Sequence, residues 1–221
     1  EQRPVSSNEP SQTLTNVVDG VVLAFHAKGL VSLAVRHDCV IELVPQVGDY
    51  VASGDPLFHV FGANLPAAAP RNSIAIGHER TLDQDPMYAF RILVDIASKA
   101  LSPAINDPTT AVLAIDQLHH LLRDVGSRYL KEGQEKDRAG VVRLIYRTPN
   151  WEDFVFLAVT EIRQYGKDSV QVMRRLRAML ENLIDTLPAQ RAPLLQRALQ
   201  MLRSSSQRTF LDADDLSLAQ A

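Results

Sequence analysis

The densest collection of polar side chains lies between residues 78 and 110, in HERTLDQDPMYAFRILVDIASKALSPAINDPTT. Asp95 stands inside ILVDIA, where an aliphatic residue would bury at lower cost. Arg91 and Lys99 lie four residues to either side and share its helix face. A buried carboxylate without a counter-charge is too costly to keep ionised, so this spacing predicts a partly buried Arg91–Asp95–Lys99 ion network. A sharper arrangement turns Asp95 toward the loop that carries Asn106 and Asp107. Those two residues also suit the cap of a following helix, with Thr109 and Thr110 in its first turn. Asp83, Asp85, Asp95, Asn106 and Asp107 offer oxygen atoms of the kind that hold Mg²⁺ or Ca²⁺, but their spacing matches no EF-hand loop. Arg80 and free N–H groups at the helix start would suit an anion, which Asp107 opposes.

Other residues carry weaker signals. His119 and His120 are adjacent on a helix and point about 100° apart, which is poor geometry for one shared metal and better suited to a solvated or interhelical role. Cys39 beside Asp38 reads as a small buried hydrophobe. From Lys167 to Arg208 the chain holds eight Lys or Arg against three Asp or Glu. Arg174, Arg175, Arg177, Arg191, Arg197, Arg203 and Arg208 form either a solvated helix surface or a face for anionic lipid or a partner's acidic surface, with Arg174, Arg175 and Arg177 the leading lipid contacts. Aromatics do not interleave with these arginines, which argues against nucleic acid. No GxSxG elbow, glycine-rich phosphate loop or HExxH pair occurs. The expectation is therefore no catalytic set, no metal set and no cofactor.

These residues need positioning by a chain of 221 residues, 46% hydrophobic and 22% charged, with 23 Lys or Arg against 26 Asp or Glu and a net charge of −3. Such values belong to a folded globular chain and lack the basic excess of a nucleic-acid binder. One cysteine excludes an internal disulfide framework and a cysteine-built zinc site. No apolar run is long enough for a membrane span, the longest being broken by Arg, Asp or Gly. Residues 1–16 read as a linker or a cut point within a longer polypeptide, and residues 209–221, with Asp212, Asp214 and Asp215, as an acidic tail.

Between them the pattern is α+β: a β module over 17–65, then a mainly helical region over 80–208 with one short strand. Strands are expected at Val17 to Phe25, Cys39 to Val44 and Leu57 to Phe61, with turns at Val47-Gly48-Asp49 and Ser53-Gly54-Asp55-Pro56. Leu30 to Arg36 fits a helix or a strand equally. Beyond residue 80 the apolar spacing becomes helical. Asp85-Pro86 starts a helix to about 101, and Asn106-Asp107-Pro108 starts a second ending near Gly133. VVRLIYR, from Val141 to Arg147, alternates as the short strand. Asn150 caps a helix over 151–165, Asp168 the next, and a last helix spans 190–204. Short connections between amphipathic helices predict an antiparallel bundle.

Two stretches carry resemblances. VVDGVVLAF followed by VGDYVASGDPLFHV resembles the barrel-sandwich hybrid of biotinyl and lipoyl carriers and of membrane-fusion adaptors. Lys28 lacks the acidic or Met flanks of a modified carrier lysine, so the resemblance implies a structural or docking module. RTLDQDPMYAFRILVDIASKALSPAINDPTTAVLAIDQL resembles the signature region of an uncharacterised bacterial family of predicted membrane proteins, domain of unknown function 2254, and the likeness extends loosely over most of the chain. Its motif positions are Arg80, Asp83, Asp85, Asp95, Ser102, Pro103, Asn106, Asp107, Pro108 and Thr110. Members look like a few membrane spans followed by a water-facing region, which this chain resembles. The resemblance implies an inner-membrane protein with this region on the cytoplasmic side, its own transmembrane segment as partner, and a homo-oligomer. The expected function is a non-enzymatic role in assembly or sensing, with a metal-assisted hydrolase built on Asp95 and Asp107 as the alternative.

Overall fold

A computed structural model describes residues 9–220, and the chain divides into two compact units. One runs up to Tyr88 and takes back Lys131–Thr148; the other comprises Ala89–Leu130 and everything from Pro149 onward.

Among the described residues, the first unit is a mixed sheet structure built from eight strands and two helices, with the start of a third. In chain order these are β1 (Gln12–Thr15), β2 (Gly20–Phe25), α1 (Ala27–Arg36), β3 (Val40–Leu43), β4 (Tyr50–Val51), β5 (Pro56–Phe61), α2 (Ala68–Arg71), β6 (Ile74–Gly77), β7 (Gln134–Lys136) and β8 (Val142–Tyr146). Five strands form a sheet in the order β1-β5-β3-β8-β7, and three form another in the order β4-β2-β6. Every pairing is antiparallel except β3 with β8, which is parallel, with Ile41 opposite Leu144. Neither sheet closes into a barrel, so the α+β class holds and the barrel-sandwich part of the expectation is not confirmed. β8 comes from a remote part of the chain and occupies the flank of β3.

Leu30 to Arg36 resolves as helix. Leu30, Leu33 and Ala34 fall on one helical face and are fully buried against Ile41, Leu43, Phe58, Val60 and Leu144. Lys28 sits in the first turn of α1 rather than at a hairpin tip, which removes the geometry a carrier lysine needs. β1 falls inside the segment expected to be linker, and residues 1–8 of that segment lie outside the described residues. The observed strands β2 and β3 fall within the stretches expected, and β5 covers the third and begins one residue earlier, at Pro56. Arg143 on β8 donates to Asp137 at 2.8 Å and to Asp38 at 2.9 Å, fastening the β7–β8 hairpin to the corner between α1 and β3.

The second unit is helical. Its elements are α3 (Pro86–Ala100, whose first turn belongs to the sheet unit), α4 (Pro108–Gly126), α5 (Trp151–Tyr165), α6 (Val170–Thr186), α7 (Ala192–Thr209) and α8 (Ala213–Gln220). Each of α4–α7 buries one apolar face: Ile115, Leu118 and Leu122 on α4, Phe154, Ala158 and Ile162 on α5, Leu176, Leu180 and Leu183 on α6, Leu195 and Leu202 on α7. Asn150 and Asp153 form a reciprocal capping box at the start of α5. The cap of α6 is Ser169, whose hydroxyl accepts from the Val172 amide, one residue after the expected Asp168. α4 stops at Gly126 rather than near Gly133, because the chain leaves there to build β7 and β8. Arg191 donates to the carbonyls of Gly126 (3.3 Å) and Arg128 (3.1 Å) and lies 5.3 Å from the centre of the Trp151 ring, closing the end of α4. Part of the expected acidic tail is α8, with Asp212 accepting from the amides of Asp214 and Asp215 at its start.

Gly133 bonds its carbonyl to the Tyr146 amide at 2.8 Å with φ of +70°, and a Cβ there would run into the Tyr146 carbonyl oxygen. Gly133→Ala is expected to destabilise by roughly 2–4 kcal/mol through left-handed strain and displacement of β8. Urea unfolding measures it, and an unchanged midpoint would count against this register.

Candidate functional site

The signature residues divide between the two units, and each group is explained within its own unit. In the sheet unit Asp85 is the buried acid, only 3% exposed. Arg80 donates to its Oδ2 from Nε at 2.8 Å, with Nη2 at 2.6 Å, and the Tyr88 amide donates to Oδ1 at 3.1 Å. Asp85 thus answers a guanidinium with one oxygen and caps the start of α3 with the other. The Arg80 guanidinium also lies 5.0 Å from the centre of the Tyr88 ring. Gly48 seats the pair: its φ is +93°, and a Cβ would stand 2.5 Å from Asp85 Oδ2 and 2.8 Å from Arg80 Nη2. The VGDY turn and the RTLDQDP segment, far apart in sequence, therefore meet at one ion pair. Asp83 is exposed close by.

In the helical unit the loop after α3 is a tight reversal. The amides of Ile105 and Asn106 donate to the Ser102 carbonyl at 3.0 and 2.9 Å, and the Asp107 amide returns to the Ala100 carbonyl at 2.8 Å. Asn106 adopts φ of +46°, a conformation that asparagine tolerates better than most residues. Asp107 then caps α4, accepting from the Thr110 amide (3.1 Å) and hydroxyl (2.5 Å), and Pro108 takes the first helical position. The Thr110 hydroxyl, then its amide, hold the Asp107 carboxyl below the usual carboxylate range. Ser102, Asn106, Asp107, Pro108 and Thr110 are thus all employed in turning and restarting the backbone.

Asp95 is not the buried acid that its apolar neighbours suggest. Its side chain is 62% exposed and 3.6 Å from Arg91, which reaches Glu161 on α5 more closely, at 2.7 Å. Lys99 is exposed and joins no ion pair among the described residues. The expected Arg91–Asp95–Lys99 network is therefore replaced by an Arg91–Glu161 pair between α3 and α5, with Asp95 at its edge. Helical periodicity placed Asp95 beside Arg91 correctly, but not on which side of the apolar face it falls. Among the described residues, no group of three or more His, Cys, Asp or Glu is placed to hold a metal ion.

A second network joins α4 to α6. Arg175 donates to Asp116 and, from Nη2, to His119 Nδ1 at 3.0 Å; His119 Nε2 is 2.9 Å from Asn182 Oδ1. A guanidinium only donates, so Nδ1 accepts and Nε2 carries the proton given to Asn182. Burial, then the charges of Arg175 and Arg123, hold His119 below the usual histidine pKa, against the opposing pull of Asn182 and Asp116. The signal available in the sequence was the spacing of Asp116 and His119; their partners on α6 leave no local trace. Arg177 pairs with Glu181 at 2.8 Å, so of the three arginines proposed for lipid only Arg174 is exposed and unpaired among the described residues.

A family model described as "Predicted membrane protein (DUF2254)" matches residues 1–182. The chain belongs to this family. It is 32% identical over 188 residues to uncharacterized proteins of Mycobacterium bovis and of two strains of Mycobacterium tuberculosis, covering 80% of this chain and 36% of each relative. The chain thus spans about a third of the length of these relatives. No solved structure matches. No helix among the described residues is long and apolar enough to cross a membrane.

Removing Arg80 leaves a buried carboxylate unanswered, whereas Asp85→Asn leaves a partly exposed guanidinium and keeps a capping oxygen. Arg80→Gln is expected to cost about 2–4 kcal/mol, and Asp85→Asn less. Denaturant titration of both variants checks the order, and a reversed order would contradict the burial of Asp85. For His119 the depressed pKa means that its contribution is complete above the unfolded value of about 6.5 and is lost as pH falls below it. Wild-type stability should drop as pH falls through about 6.5, and His119→Gln should flatten that drop. Equal slopes in the two proteins would rule His119 out as its source.

Proposed function

We propose that this chain is a non-enzymatic assembly or regulatory domain of an integral membrane protein, held on the cytoplasmic side and working as a homo-oligomer. The observation that carries this reading is how the signature residues are employed. Arg80 and Asp85 close a buried pair, and Asn106, Asp107 and Thr110 turn and cap the backbone, so the chemistry-bearing residues serve shape. Membership of a predicted membrane protein family, and relatives nearly three times the length of the aligned region, support attachment to a membrane part. Asp95 and Asp107, the pair on which a hydrolase would rest, each engage neighbours of their own, Arg91 and Thr110.

The test uses a family member of full relative length carrying this region. Protease should reach the region in inverted membrane vesicles and be excluded from it in intact spheroplasts. Deleting the region should change the oligomeric state of the detergent-extracted membrane part. Protection in inverted vesicles, or an oligomer indifferent to the deletion, would sink the proposal.

A further inference from the structure

The helical unit contains a cationic cleft with no acid among its described lining residues. It has a volume of about 440 Å³ and is lined by Arg163, Gln164, Lys167, Ser205, Arg208 and Thr209. Arg163 and Lys167 are four residues apart at the end of α5 and in the turn beyond it; Ser205, Arg208 and Thr209 share one face of the last turn of α7. Three of the six lining residues are cations, none is an acid, and the others offer hydroxyl or amide groups.

Arg163 stands apart among the arginines of this unit. The half-buried ones are Arg91, Arg163, Arg175, Arg177 and Arg191. Arg91 pairs with Glu161, Arg175 with Asp116, Arg177 with Glu181, and Arg191 donates to two backbone carbonyls. Among the described residues, only Arg163 of the five lacks such a partner, and neither Lys167 nor Arg208 supplies or receives one. Burial and, after it, the charge of Arg208 hold the Arg163 pKa below its usual value, as expected where two cationic side chains line one cleft. One cation at each helix end would satisfy the helix dipole. Three around one opening leave a positive excess that fits a multiply charged anion, and guanidinium groups beside hydroxyl donors match tetrahedral phosphoryl oxygens.

We infer that this cleft, at the paired ends of α5 and α7, binds a phosphoryl group through Arg163, Arg208 and Lys167, with Ser205 and Thr209 as hydroxyl donors. The inference is independent of whether the domain reports to a membrane part. The phosphoryl group belongs either to a soluble phosphate compound or to an anionic lipid headgroup, and the test separates the two.

Pyrophosphate binding to the 221-residue chain is measured by calorimetry at about 150 mM salt, where long-range charge effects are screened. Cosedimentation with phosphatidylglycerol vesicles, against phosphatidylcholine vesicles, forms the second arm. The wild-type chain, Arg163→Gln/Arg208→Gln and Arg174→Gln are compared. The double variant should weaken binding about tenfold or more, as expected for losing two charge-assisted contacts, while Arg174→Gln binds as wild type. Saturable pyrophosphate binding assigns the soluble source; vesicle binding alone assigns the headgroup; either upholds the inference. Without anion the double variant should melt no lower than wild type, since it removes a repulsion. Should it fail to fold, Arg208→Gln alone, at an exposed position, should still weaken binding severalfold. Absence of binding in both arms, or equal losses in the Arg174 control, overturns the site.

Discussion

The contact on which the sheet unit turns is the buried pair of Arg80 and Asp85 against Gly48. It joins the turn between β3 and β4 to the segment that launches α3, and it does so with one acid in two roles. One carboxylate oxygen neutralises the guanidinium and the other receives the first free amide of the helix. A carboxylate taken so far out of water is tolerable only when both oxygens are answered. Gly48 matters because any side chain would occupy the space where those groups meet.

The helical unit manages its charges in the same economical way. Arg91, Arg175 and Arg177 face acids on the same or a packed helix, and Arg191 stops α4 by answering its last carbonyls. The loop from Ser102 to Asp107 contributes a reversal in which nearly every polar group has a backbone task. Its sequence specificity follows from that: Asn106 adopts positive φ, Asp107 caps, and Pro108 needs no amide partner. Against this background the cleft of Arg163, Lys167 and Arg208 is an exception to the rule that half-buried cations here are answered within the fold.

Much of the local structure was legible in the residues. The 3.6-residue spacing of apolar positions located α3, α4, α5, α6 and α7, and Asn150, Asp107 and Pro108 marked helix starts for a local physical reason. Asp95 lies outside the core because a carboxylate among ILV-type neighbours can sit at the border of the apolar stripe, a shift of one position that periodicity tolerates. Asp85 reads as a cap from its position before Pro86, but its ion pair depends on Gly48, which sits in a turn outside the segment.

By itself, then, the sequence determined the α+β class, the helix starts at Pro86, Pro108 and Trp151, and membership of a family through the SPAINDP reversal. Only the tertiary structure decided that VVRLIYR runs parallel to β3 in the first unit, that Leu30 to Arg36 is helix, and which arginines keep a free charge. Local propensity and capping act over a few residues and are written in order along the chain. Strand partnership and charge compensation depend on which remote groups arrive at the same place, and nothing in the local pattern encodes that.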